Sequence, residues 1–145
     1  MSISTKRRLL GAVRYGLAAV FAAYGGVKLS GGQFDYGDWI IDKRATDGTS
    51  VVWAFYGYSP VYGRLTGLFE LVPAMLLLWR RTSTLGAAAL FAVSLNITLM
   101  DFAFGFPAVK YFSLGYTVLL GGLLYADRDR LLDAFWRPRR ESLPG

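Results

Sequence analysis

YGRLTGLFELVPAMLLLW, residues 62 to 79, is apolar except for Arg64, Thr66 and Glu70, and Arg80 and Arg81 follow it directly. A helix needs about 20 mostly apolar residues to cross the hydrocarbon core of a bilayer. The stretch therefore predicts a membrane-spanning helix with a carboxylate near its middle. Its length and its basic flank set the reading of everything around it.

Three more runs have the same character: Leu9 to Leu29, Leu85 to Phe104 and Val109 to Tyr125. A chain of 145 residues that is 54% hydrophobic is already near the membrane end of the compositional range, and these runs show that its apolar residues are clustered. The prediction is an all-α integral membrane protein, a single domain over 1–145, built as a four-transmembrane-helix bundle. A loop at 30–61 joins the first two spans, and a basic tail at 126–145 follows the last. MSISTKRRLL also has the basic start of a signal peptide, but the apolar run behind it is too long and ends in Lys28 rather than a small-residue cleavage site. It is read as a retained first helix.

Charge sets the expected orientation. The net charge of +6 comes largely from Lys6, Arg7 and Arg8, from Arg80 and Arg81, and from Arg128, Arg130, Arg137, Arg139 and Arg140. With four spans, all three clusters fall on one side, and basic loops face the cytoplasm. Both termini are thus expected inside, with the 30–61 loop and the turn at 105–107 outside. Because the basic residues flank spans rather than form a groove, no nucleic-acid partner is expected. The lipid bilayer is.

The chain has no cysteine and no histidine. Thiol relays, iron–sulfur ligation and haem held by paired imidazoles are therefore excluded for its own side chains, and no metal site is expected. Ser59-Pro60 offers a cap and a first-position proline for the second span, and Pro107 could do the same for the fourth. Thr82 to Thr84 can cap the third. The outer loop is rich in aromatics, among them Phe34, Trp53 and Tyr56, and its segment 49–58 is too short to span. An interfacial or re-entrant piece over the outer end of the bundle is expected there, acting as an anchoring belt or as a lid.

Small residues recur on one face of three predicted spans: Ala12, Gly16, Ala19, Ala23 and Gly26; Gly63, Gly67 and Ala74 around Glu70; Ser113, Thr117 and Gly121 after Lys110. Such faces let helices approach closely in lipid and are expected to point inward. Six polar residues form the candidate ligand-binding or functional cluster: Lys28, Arg64, Glu70, Asn96, Asp101 and Lys110. A charge at a helix centre costs about 2.5–3.5 kcal/mol on insertion scales, so buried charges pair and face the interior. Lys28, Arg64 and Lys110 are expected to be neutralised largely by Glu70 and Asp101, or to snorkel towards the helix ends. Asn96 is expected to form an interhelical hydrogen bond, and Arg14 to reach lipid phosphate. For Glu70 and Asp101, structural pairing and function both stand open.

VRYGLAAVFAAYGGVKLSGGQF at 13–34 and GLFELVPAMLLLWRRTSTLGAAALFAVSLNITLM at 67–100 resemble DoxX-like membrane proteins. In that pattern a glycine precedes a lysine–leucine pair in the first helix, and a glutamate follows a glycine by three residues in the second. The resemblance implies a four-helix, multi-pass protein of a bacterial-type plasma or inner membrane, with Lys28 and Glu70 as the family's lysine and glutamate and Asn96 a weaker match. It also implies a non-catalytic subunit or assembly factor beside a quinone-linked redox or oxidative-stress system, with a membrane or redox protein partner or self-association into a homo-oligomer. No covalent cofactor is expected; a bound quinone or lipid is consistent with the resemblance. The absence of cysteine departs from relatives that perform thiol chemistry. Two alternatives remain: a small-solute or proton carrier using Glu70 and Asp101, and an intramembrane enzyme acting on a lipid or quinone.

Overall fold

The computed structural model describes residues 2–135. They form six helices: α1 (Ile3–Leu29), α2 (Gly48–Gly57), α3 (Pro60–Leu78), α4 (Ser83–Ala103), α5 (Val109–Ala126) and α6 (Arg128–Phe135). There is no strand among the described residues. Of these helices, α1, α3 and α4 are long and apolar enough to cross a membrane. With 18 residues, α5 is not among them; Lys110, Ser113, Thr117 and three tyrosines interrupt its apolar run. Trp136 to Gly145, including Arg137, Arg139 and Arg140, lies outside the described residues.

Several helix boundaries follow local chemistry that hydropathy alone does not mark. The helix α1 starts at Ile3 rather than Leu9, because Lys6, Arg7 and Arg8 are good helix formers that extend the helix beyond its apolar part. As predicted, Ser59 accepts a hydrogen bond from the Tyr62 amide at 3.2 Å, with Pro60 in the first position of α3. Pro107 does not start α5, which begins at Val109 behind Ala108. Thr82 stands at the start of α4, but its hydroxyl donates to the Leu76 carbonyl at 2.8 Å and so closes the end of α3 instead. Part of the predicted loop and part of the predicted tail are helical, as α2 and α6.

The helices α1, α3, α4 and α5 pack in that order, with α5 only lightly against α1. Glycines set the closest approaches. A Cβ placed on Gly25 would lie 2.7 Å from the Gly67 carbonyl oxygen, and one on Gly67 2.5 Å from the carbonyl oxygen of Gly25. These are shorter than real Cβ contacts, so α1 and α3 cross backbone to backbone. Gly86 of α4 meets the Pro73 carbonyl of α3 in the same way, at 2.7 Å. A continuous apolar core of Leu17, Phe21, Ala74, Leu77, Leu90, Leu120 and Leu123 joins the four helices.

The predicted inner face of α3 is correct: Gly63, Gly67, Glu70 and Ala74 are all buried. The predicted inner face of α1 is not. Ala12, Gly16, Ala19, Ala23 and Gly26 are exposed, and the buried face is Leu17, Ala18, Phe21, Gly25 and Lys28. Gly25 makes the close contact and Gly26 has open space, a difference of one residue, or about 100° around the helix. Around the bundle, Leu68, Val72, Leu95, Leu99 and Val118 point outward. An apolar exterior of this kind is what a lipid-facing surface requires.

Candidate functional site

Lys28 and Glu70 meet where α1 and α3 cross. The two residues stand three positions beyond Gly25 and Gly67, so the glycine contact that draws the helices together also brings the charged groups together. Lys28 Nζ donates to Glu70 Oε1 at 2.5 Å, and both residues are buried, Glu70 at 2% exposure. The contact is an ion pair between two of the long helices. Breaking a buried pair on one side leaves an uncompensated charge, which typically costs about 3–5 kcal/mol. Yet the pair is incomplete, because Glu70 Oε2 is buried without a hydrogen-bond partner.

Asp101, on α4, is equally buried at 2% exposure, and its Oδ2 also lacks a partner. It faces Ser113 of α5, with Lys28 within electrostatic reach. Beside it runs a chain of hydroxyls between α4 and α5. Ser94 and Thr117 lie 2.7 Å apart, Thr98 and Thr117 2.9 Å, and Thr117 donates to the Ser113 carbonyl at 2.9 Å. Ser94 and Thr98 were missing from the predicted cluster, although hydroxyls four residues apart on one helix face could have signalled them.

Lys28, Glu70, Asp101 and Asn96 line one cavity of about 900 Å³. Asn96 makes no hydrogen bond among the described residues; rather than joining two helices, its side chain is exposed on the cavity wall. Arg64 and Lys110 stay out of the cluster. Arg64 is exposed beside the turn at Gly31, and Lys110 lies over the rings of Phe102 and Tyr111, 5.7 and 5.3 Å from their centroids. Of the two expectations for the cations, Lys28 follows neutralisation by an acid, whereas the long side chains of Arg64 and Lys110 find surface and aromatic partners closer to their own helix ends.

The aromatic residues of the 30–61 segment roof this cavity. Asp47 caps α2 by accepting from the Ser50 amide at 3.0 Å and the Ser50 hydroxyl at 2.7 Å, which holds its carboxyl below the usual aspartate range. From α2, Tyr56 stacks on Phe34 at 5.0 Å and on Tyr62 at 6.0 Å, and its hydroxyl points at the Met100 sulfur, 3.9 Å away. Burial pushes the Tyr56 hydroxyl up from its ordinary pKa, with Tyr62 and Glu70 acting the same way. Trp53 fills the space between Phe34 and Phe106. The aromatics do more than anchor a loop: Phe34, Trp53, Tyr56 and Phe106 are walls of the cavity.

The result is an amphiphilic chamber with a mostly apolar lining, one ion pair and two unpartnered carboxylate oxygens. Among the described residues no group of acids is placed to hold a metal ion. The lining combines a few polar residues, Glu70, Asp101 and Asn96 among them, with aromatic rings, a combination common in sites for small molecules.

The Bacillus subtilis (strain 168) protein "Uncharacterized protein YwoB" is 35% identical to this chain over 119 residues, which are 82% of this chain and 77% of that protein. The chain belongs to the YwoB family. Wherever it begins, a matched stretch of that length in a chain of 145 residues takes in positions 28, 70 and 101, so the YwoB likeness spans the cavity. No family model matches the chain. No solved structure matches it either.

Proposed function

We propose that the chain is a non-catalytic, four-span membrane subunit or assembly factor of DoxX-like type, which holds a quinone or a lipid in the cavity around Lys28 and Glu70. The single observation that carries this reading is the chamber of about 900 Å³ in which a buried acid keeps one oxygen unpartnered. Both partners of the ion pair are buried, and both stand in the wall of that volume. The absence of cysteine and histidine supports a binding role over redox catalysis by this chain.

In this reading α5 is the fourth span, supported by its 18-residue length, about 27 Å at 1.5 Å per residue, and by its exposed Phe112, Leu114, Val118 and Leu119. Arg7, Arg14, Arg80 and Arg130 gather at one end of the bundle, which supports a cytoplasmic position for that end and for both termini in a bacterial-type inner membrane. The 30–61 segment and α2 then lie outside. The exposed small-residue face of α1 supports a helix partner, either a membrane protein or a second copy of this chain.

A carrier reading needs a route from the cavity to the other end. Leu77, Leu90 and Leu120 are fully buried there and fill the centre of the bundle, which favours a binding chamber closed at its inner end. The test is extraction of the protein in a mild detergent, followed by mass spectrometry of the organic extract and of the co-purifying proteins. The expected result is a stoichiometric quinone or lipid and a recurring protein partner. Glu70-dependent proton flux from liposomes with no retained small molecule would replace this reading with the carrier.

A further inference from the structure

A second pocket, of about 420 Å³, lies at the opposite end of the bundle from α2 and is independent of the cavity. Arg7 and Arg14 reach it from one face of α1, Arg80 from the turn between α3 and α4, and Arg130 from α6. Asp127 is the sole acid in its lining, and the Thr84 hydroxyl already donates to that carboxylate at 2.7 Å. Four guanidinium groups from three parts of the chain thus face one engaged carboxylate. Like charges gathered in this way repel one another unless an anion lies among them.

Local contacts orient the arginines without using their donors up. Arg14 donates from Nη2 to the Tyr15 hydroxyl at 2.7 Å and lies over the Tyr15 ring, 4.6 Å from its centroid, while its Nε is buried with no partner. Arg130 donates to the Arg80 carbonyl at 3.3 Å, which ties α6 to the α3–α4 turn and closes the pocket on that side. On the α1 side, Gly11 leaves open space where a side chain would stand. Leu10 and Leu123 supply an apolar edge next to the charged groups.

We propose that this pocket binds a phosphate group, with the head group of an anionic phospholipid as its natural source. The planar guanidinium fork matches phosphate oxygens in pairs, which a scattered basic surface does not offer. Basic pockets between membrane helices at the cytoplasmic face take lipid head groups in this way. The leucine edge gives the first methylenes of an acyl chain a place to lie.

The experiment uses the full chain in nanodiscs of phosphatidylcholine with or without phosphatidylglycerol, with retained lipid counted by native mass spectrometry, and a parallel detergent series with added inorganic phosphate followed by thermal unfolding. The double variant R14Q/R80Q is compared with R8Q/R81Q, which removes the same charge from residues outside the pocket lining. Phosphatidylglycerol should be retained by the parent and by R8Q/R81Q, and its affinity should fall by about tenfold for each pocket arginine removed, the loss typical of one hydrogen bond to a charged group. If inorganic phosphate stabilises the parent and R8Q/R81Q but not R14Q/R80Q, and phosphatidylglycerol shows no preference, the phosphate site stands and its source is soluble. Equal losses in the two double variants, or no response to either probe, would overturn the proposal. Should R14Q/R80Q fail to fold, Arg7→Gln against Arg8→Gln makes the same comparison at exposed positions of the first turns of α1.

Discussion

The same helices build two halves of opposite character. Towards the chain termini, Leu77, Leu90 and Leu120 are fully buried and meet Leu17, Ala74 and Ala87 in a core without a charge. Towards α2, about one to three turns further along, the helices carry Lys28, Glu70 and Asp101, and line a chamber instead of a core. The glycine crossing of α1 and α3 lies beside the ion pair, and the close approach of α4 to α3 at Gly86 lies in the apolar half. In lipid, association depends on close packing and interhelical polar contacts rather than on the hydrophobic effect. The first half can therefore hold the bundle together, which leaves the second free to stay open and polar.

The sharpest way to break this division is Glu70→Ala, which strands Lys28 in the interior. The expected loss is about 3–5 kcal/mol, read by reversible unfolding in mixed micelles, together with loss of any retained quinone or lipid. Leu90→Ala should cost about 2–5 kcal/mol for the cavity it leaves, while ligand retention in the folded fraction stays unchanged. If Leu90→Ala emptied the chamber as thoroughly as Glu70→Ala, the two halves would not be separable. Thr117→Val cuts the hydroxyl chain beside Asp101 and should cost only about 0.6 kcal/mol, the average for a hydrogen bond between membrane helices.

The sequence signalled α3 more clearly than α1, for a physical reason. On α3, Glu70 marks the inner face, and Gly63, Gly67 and Ala74 share that face with it. On α1, small residues occupy more than one face, and alanine and glycine suit lipid as well as a neighbouring helix. Lys28 was the better guide, because a buried lysine needs its acid, and the face that carries Lys28 is the one that packs. The destinations of Arg64 and Lys110 were not legible, since a long cationic side chain can end on a carboxylate, a ring or solvent without any change in the pattern around it. The α2 roof was legible as a segment at 49–58, too short to span and rich in aromatics, but not as a helix, because ten residues are too few for hydropathy to mark. The α6 helix, eight residues long and carrying Asp129 and Asp133 among its arginines, escaped for the same reason.

The roof offers a smaller and pH-dependent test. Hydrogen bonds from Ser50 depress the Asp47 pKa in the folded protein, so the cap contributes fully above the ordinary aspartate range and is lost as pH falls through the depressed folded value. The protection of the Ser50 amide against hydrogen exchange, relative to an unstructured amide at the same pH, should fall over that acid window. Asp47→Asn, which keeps a capping oxygen without a titrating group, should remove the pH dependence while leaving α2 in place. An unchanged acid limb in this variant would separate the cap from the behaviour of the roof.

The central claim is that the Lys28–Glu70 pair serves the chamber rather than the fold, and the paired replacement Lys28→Met with Glu70→Leu tests it most directly. Removing both charges together avoids a stranded ion, and well-packed apolar substitutes for a buried pair are often neutral or stabilising. The measurement is the amount of quinone or lipid in the organic extract per mole of folded protein, taken beside the unfolding midpoint. The predicted result is a midpoint near that of the parent with the retained molecule gone. A double variant that keeps the molecule in full, or a parent that never carries one, would contradict it.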